Sequence, residues 1–284
     1  MTDPRRVIFT HIPKTGGTSL RAVLGRHYPR HTVHFKDNNN YVNARHILTL
    51  PSSERDQLRL IAGHLSYGIH AYLNGDNVYI TLLRDPVKRL ISNYFFARSL
   101  PHHKQHANAM RLSLEAFAQD PLQNQAVTRA LYGFTFDPTS PTPPADILTL
   151  PPDALQVAKR HLSEHYAVVG ITEQFDASLL LMKKALDWGN ITYMARNITR
   201  QDDTRQALSA ESIAAVERAC AMDVEVYQHA VAVFESQKSA YGLDALEHDL
   251  AAFHRQNRIA GRVLRATDSL RQTRLYRAFR RLLK

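Results

Sequence analysis

The stretch Arg6-Val7-Ile8-Phe9-Thr10-His11-Ile12-Pro13-Lys14-Thr15-Gly16-Gly17-Thr18-Ser19 decides the fold. Its first five residues read as a short buried strand and the next residues as a glycine-containing loop. From about Thr18 to His27 the pattern is a helix with Leu20, Val23 and Leu24 on one face. A helix N-terminus presents unpaired N–H groups and the positive end of a dipole, which suits a phosphate group. Gly16 and Gly17 let the backbone wrap closely around such an anion. Lys14 adds a mobile charge, and Thr15, Thr18 and Ser19 add hydroxyl donors. A turn that needs glycine for steric reasons alone would not account for the lysine and three hydroxyls. The order of residues differs from the nucleoside-triphosphatase loop, in which the lysine follows the last glycine. Lys14 precedes both glycines, and Asp85, the nearest candidate magnesium ligand, is better explained as a helix cap.

Outward from this loop, Leu58–Ala62 and Val78–Leu83 read as further apolar strands. The second ends at Arg84-Asp85-Pro86, where Asp85 suits an N-cap and Pro86 the first turn of a helix running to about Arg98. Downstream, Pro151–His165 reads as a helix, Ala167–Ile171 as a strand and Glu173–Trp188 as a helix. One long helix is expected over Ala210 to about Ser236, and Asp137–Pro144 must be an irregular loop. Strands alternating with helices predict an α/β fold: a P-loop-like, mainly parallel sheet flanked by helices, with a helical C-terminal part. Ligands of such sheets collect at the carboxyl ends of the strands.

The 284 residues are 44% hydrophobic and 22% charged, an ordinary globular composition that excludes disordered and collagen-like classes. One cysteine, Cys220, excludes an intramolecular disulfide and a multi-thiolate zinc site, and its apolar neighbours place it in the core. The net charge of +10 is uneven. From Ala251 to Lys284 ten basic residues face one acid, Asp268, so the tail carries +9 and the first 250 residues only +1. A catalytic domain over residues 1–250 and a basic tail over 251–284 are therefore expected. On a helical wheel, Leu275, Tyr276, Phe279, Leu282 and Leu283 separate from Arg274, Arg277, Arg280, Arg281 and Lys284. Such a helix suits an anionic membrane surface or a polyanion, or equally a docked helix with its arginines in water. Nucleic-acid binding is not expected, because the body of the chain is close to neutral.

Pro-Lys-Thr-Gly-Gly-Thr-Ser after a first strand resembles the 5′-phosphosulfate loop of the sulfotransferases that use 3′-phosphoadenosine-5′-phosphosulfate (PAPS). The likeness points to the carbohydrate 2-O-sulfotransferase type, the sulfotransferase family 2 group. Leu83–Tyr94 is similar to that family's 3′-phosphate motif, and Gly63-His64-Leu65-Ser66-Tyr67 to its Gly-His segment. Asn124–Gly133 is similar to a Gln-Thr-Arg-containing helix, and Val168–Leu179 to a late strand–helix segment. The resemblance covers roughly residues 5 to 240. It implies that Lys14, Thr15, Gly16, Gly17, Thr18 and Ser19 hold the 5′-phosphate, and that Lys14 also neutralises the leaving phosphate oxygen. By the same carry-over, Arg84 and Ser92 bind the 3′-phosphate and His64 is the general base for an acceptor hydroxyl. Arg129 is a weaker candidate, for the acceptor or for organising the site, and Arg200 a candidate to close over the adenosine end. The implied reaction transfers sulfuryl from PAPS to a carbohydrate or glycoconjugate hydroxyl and releases adenosine 3′,5′-bisphosphate, with no metal. Some relatives carry a second histidine two positions before His64; Ala62 stands there in this chain.

Lys88 and Arg89 are expected as solvated helix charges, and His102, His103 and His106 as a solvated loop. The Asn-Ile-Thr triplets at 190 and 197 are expected to be unmodified. No signal peptide or membrane anchor is read at the N-terminus, so a cytoplasmic location is expected, with peripheral membrane contact through the tail. The rival classes are a P-loop kinase, which would turn over ATP with magnesium, and a non-catalytic polyanion-binding protein. The second explains the tail but not the loop.

Overall fold

The computed structural model describes residues 5–36, 40–133, 140, 142, 143, 146–193 and 208–272. Arg200, the Asn197 triplet, most of the proline-rich loop and residues 273–284 of the tail lie outside them.

Five parallel strands form the central sheet: β1 (Arg6–Thr10), β2 (Val33–Lys36), β3 (Leu60–Gly63), β4 (Asn77–Leu83) and β5 (Tyr166–Ile171). Their order is β2-β3-β1-β4-β5. β1 pairs in parallel with both β3 and β4, so its residues are covered on both faces and both edges and all five are buried. Even Arg6 is buried at the start of the strand. Its guanidinium donates to the carbonyls of Leu58 and Asn74 and to Asn77 Oδ1, at 2.8 to 3.0 Å. The α/β class expected from the sequence is the one observed.

The helices that flank the site follow their sequence signals closely. Helix α1 (Gly17–His27) buries Leu20, Val23 and Leu24, the face expected of it. Between β2 and β3 lie α2 (Asn40–Leu48) and α3 (Ser52–Asp56). Helix α4 (Pro86–Ser99) starts at Pro86, and Asp85 Oδ1 accepts from Lys88 N at 2.7 Å as its cap. Helices α5 (His106–Arg111), α6 (Leu114–Gln119), α7 (Ala126–Tyr132) and α8 (Ala154–Glu164) precede β5. After β5, a single 3₁₀ turn at Thr172–Gln174 comes before α9 (Phe175–Ala185), so the helix expected from Glu173 starts later and ends earlier.

The long helix expected from Ala210 is two helices, α10 (Ala210–Ala219) and α11 (Ala221–Tyr241). They break at Cys220, whose φ of −116° and ψ of 31° leave the helical region. Gln125 holds the break open: its Nε2 donates to Ala219 O at 3.1 Å and its Oε1 accepts from Asp223 N at 3.1 Å. Cys220 is buried, as expected. Helix α12 (Leu243–Gln272) starts ahead of the boundary expected at residue 251 and passes through it without interruption. Leu246 and Phe253 on this helix are buried.

Arg89 corrects the sequence reading. It is 2% exposed, not solvated, because α4 packs against α11 and brings Arg89 Nη2 to 3.8 Å from Asp223 Oδ2. Asp223 is fully buried, and its carboxylate accepts from Val127 N, Thr128 N and Thr128 Oγ1 at 2.7 to 3.1 Å. A carboxylate from the neighbouring α11 thus caps the first turn of α7. Among the described residues, no helix is long and apolar enough to cross a membrane.

Breaking one side of a buried ion pair leaves the other charge stranded. Asp223→Ala should therefore cost about 3–5 kcal/mol of stability in urea denaturation. A loss below about 1 kcal/mol would mean that Arg89 and the α7 amides find water instead.

Candidate functional site

The registers Thr10↔Gly63 and Thr10↔Thr81 align the carboxyl ends of β3, β1 and β4. His11 follows β1, His64 follows β3 and Arg84 follows β4, so all three emerge at one edge of the sheet. The chain leaves β1 toward β2, whereas it leaves β3 and β4 toward the opposite side. The loop after β1 therefore sits where the connections diverge, the usual place for a ligand in an open α/β sheet.

That loop is braced from within and from the ends of β4 and β5. Thr15 is fully buried and its hydroxyl donates to Ile12 O at 2.8 Å. Thr172, just past β5, places its hydroxyl 2.7 Å from Thr15 O and 2.8 Å from Leu83 O. Arg84 Nη1 donates to Lys14 O at 3.2 Å. Gly16 has φ +84°, a left-handed conformation that disfavours other residues, and it serves as the N-cap of α1 with no side-chain cap. Bonding within the helix begins with Ser19 N on Gly16 O at 3.0 Å, so the amides of Gly17 and Thr18 point out at the loop mouth. Thr18 is exposed there and Ser19 is buried.

Lys14 also has a positive φ, +69°. Its ammonium stands 3.6 Å from the ring centroid of Phe96 on α4. Burial, with a smaller contribution from the charge of Arg84, lowers its pKa from the ordinary lysine value to about 8. Ser92, buried one turn before Phe96 on the same helix, shares its face. Lys14, Arg84 and the face of α4 that carries Ser92 and Phe96 thus meet beside the N-terminus of α1.

On the other side of the loop lies a cavity of about 450 Å³. His64, His11 and Arg129 supply polar surface to it, and Leu122, Ala130 and Ile147 supply apolar walls. The His11 and His64 rings lie 5.0 Å apart, and Phe9 stacks on His11 at 5.4 Å. Asn43 on α2 anchors the backbone here, donating to His64 O at 3.0 Å. Gly17 makes room for this arrangement, because a Cβ at that position would fall 2.0 Å from His11 Nε2. Arg129 is committed to shape. Its guanidinium donates to the carbonyls of Pro121, Asn124 and Leu148 at 2.6 to 2.8 Å, tying together the segments that wall the cavity.

Three residues at the site were not singled out from the sequence. His11 stood inside the quoted loop, and its position directly after the central strand was the available signal. Phe96 could have been found from its i+4 spacing to Ser92. His103 was read as solvated. Instead it packs edge-on to Phe96 at 5.5 Å, and burial together with the nearby Lys14 charge lowers its pKa. His106 is likewise tied down, 2.9 Å from Ala97 O, while His102 is exposed. Among the described residues, no group of three or more His, Cys, Asp or Glu side chains could hold a metal ion.

A family model described as galactose-3-O-sulfotransferase matches residues 2–279. The chain is 24% identical to galactosylceramide sulfotransferase of Bos taurus over 284 residues, covering 90% of this chain and 63% of the relative. It is 26% identical to galactose-3-O-sulfotransferase 2 of Mus musculus, over 64% of this chain and 46% of the relative. Against galactose-3-O-sulfotransferase 3 of Homo sapiens it is 25% identical, over 86% of this chain and 59% of the relative. The chain thus spans less than two thirds of the length of these relatives. The carbohydrate-sulfotransferase part of the sequence resemblance agrees with these matches, but the family model and two of the three relatives are named for galactose 3-O, not 2-O.

Gly17→Ala should push the His11 ring off its place beside His64, while its effect on α1 itself should be small. The expected outcome is a clear loss of affinity for adenosine 3′,5′-bisphosphate by calorimetry, with a melting temperature close to that of the unmodified protein. Unchanged affinity would show that the loop relaxes without cost.

Proposed function

Since the chain belongs to the galactose-3-O-sulfotransferase family, we propose that it transfers a sulfuryl group from PAPS to a carbohydrate or glycoconjugate hydroxyl, the 3-hydroxyl of a galactose. One observation carries this reading. A single loop holds Lys14 beside Arg84 and the start of α1, and its first residues line a cavity that also receives His64.

The donor set fits a nucleotide with two separate phosphate groups. Lys14 and the amides of Gly17 and Thr18 would hold the 5′-phosphosulfate end, with Thr15 and Gly16 shaping the loop. Arg84 and Ser92 would hold the 3′-phosphate, the arginine as a planar fork and the serine as a neutral donor. When bound, PAPS supplies the sulfuryl group and a phosphate leaving group. His64 takes the proton of the acceptor hydroxyl as the oxygen attacks. Lys14 stabilises the charge that grows on the leaving oxygen, an interaction that speeds transfer only if it strengthens along the way. Arg129 acts through the cavity wall, and the apolar side chains of that wall keep water away from the attacking oxygen.

The test is mass spectrometry of galactose-terminated glycans incubated with labelled PAPS. One sulfate should be added by the unmodified protein. His64→Ala should reduce transfer by about 100- to 10,000-fold while retaining adenosine 3′,5′-bisphosphate binding. Loss of binding would reassign His64 to the nucleotide or the fold, and turnover of ATP with magnesium in place of PAPS would favour a kinase.

A pH dependence follows from Lys14. Its charged form is required and its pKa is lowered to about 8, so kcat/KM should fall as pH rises through about 8. The bound dianion favours the ammonium, so kcat should fall only at higher pH. A flat kcat/KM profile from pH 7 to 10 would remove Lys14 from the charge-stabilising role.

A further inference from the structure

We propose that Phe96 is a positioning residue for Lys14, its ring face holding the ammonium at the mouth of the phosphate loop before the donor arrives. The inference rests on the sulfotransferase reading, in which Lys14 supplies charge to the leaving oxygen. At 3.6 Å from the ring centroid, Nζ is well inside the roughly 6 Å range of a cation–π contact.

The backbone on both sides of the contact is constrained. Lys14 is left-handed, with φ +69°, and its carbonyl is held by Arg84 Nη1. Phe96 sits on α4, which is capped by Asp85 and anchored by the buried Arg89. His103 backs the ring edge-on. A site carried on a helix is held more firmly than one carried on a loop alone.

The ring also supplies an attraction that other groups do not. The charged and titratable groups facing Lys14 are Arg84 from the end of β4 and His103 from the segment after α4. Glu173, at the end of β5, directs its carboxylate to Asp85 N and to the Tyr227 hydroxyl. Among the described residues, the ammonium thus faces a guanidinium, an imidazole and an aromatic face. Of these, the negative face of the ring is what favours the charged form in a partly dry cleft.

Three substitutions separate this role from packing. Phe96→Leu keeps an apolar wall without a π-face, Phe96→Tyr keeps both, and Phe96→Ala admits water. The direct readout is the titration of Lys14 in the ligand-free protein, by trace acetylation across pH and peptide mass spectrometry. In the unmodified protein Lys14 should titrate at about 8. Losing the cation–π attraction should lower this by about one pH unit in Phe96→Leu. Phe96→Tyr should match the unmodified protein, and Phe96→Ala should move up toward the ordinary lysine value as solvent returns. The basic limb of kcat/KM should shift in the same directions, with far-ultraviolet circular dichroism unchanged. Identical Lys14 titration in Phe96→Leu and the unmodified protein would overturn the inference. The expected titration shifts without any transfer from PAPS would support the lysine–ring contact and overturn the sulfotransferase reading instead.

Discussion

The site depends on the burial of one strand. β1 has a neighbour on each side and helices over both faces, so its backbone and side chains are committed to the interior. The chain must therefore emerge between the ends of β3 and β4, and there it turns at once into α1. Everything chemical is arranged around that emergence. The strand delivers His11, β3 delivers His64, β4 delivers Arg84, and the helix supplies its unpaired amides. The loop between them is shaped by bonds from other strands to its carbonyls, by Thr172 on Thr15 and Arg84 on Lys14. Its donors are left pointing outward, which is the preorganisation that binding a charged ester requires.

Burial and a neighbouring charge set the electrostatics at Lys14. Burial lowers the Lys14 pKa, and the charge of Arg84 adds to this. An anion held beside such an ammonium favours its charged form. The cavity on the other side of the loop differs in character: its walls are mainly apolar, with histidines at the end nearest the loop. Under the proposed reaction, a charged donor and a sugar hydroxyl that must lose its proton need different surroundings, and the loop would divide them.

Farther from the loop, the buried pair Arg89–Asp223 links α4, α7 and α11. Of these, α4 carries Ser92 and Phe96, and α7 carries Arg129. Asp223 caps α7 and Gln125 holds open the helix break before α11, so the cavity wall and the α4 face beside Lys14 share one buried anchor. Pairwise contacts of this kind explain why two halves of a site built from distant stretches of chain keep a fixed separation.

Local signals made much of this legible. The alternation of strands and helices, the glycines and lysine after β1, the cap and proline that open α4, and the buried face of α1 are properties of short windows, and the structure follows them. Arg84, Ser92 and His64 came from a resemblance, and their convergence at one sheet edge followed once the strand order was known. Arg89, Phe96 and His103 were opaque for a common reason: a charged or aromatic residue on a helix looks the same in sequence whether it faces water, core or cleft. Burial of Arg89 was decided by Asp223, a residue 134 positions later. Likewise the break at Cys220 was decided by Gln125, whose amide replaces the lost helical bonds. The amino-acid order by itself determined the strands and helices around the glycine loop, because these arise from backbone periodicity and neighbouring residues. Tertiary packing alone decided which charges are buried, which ring meets Lys14 and where the cavity lies, because those depend on distances between segments that no local window contains.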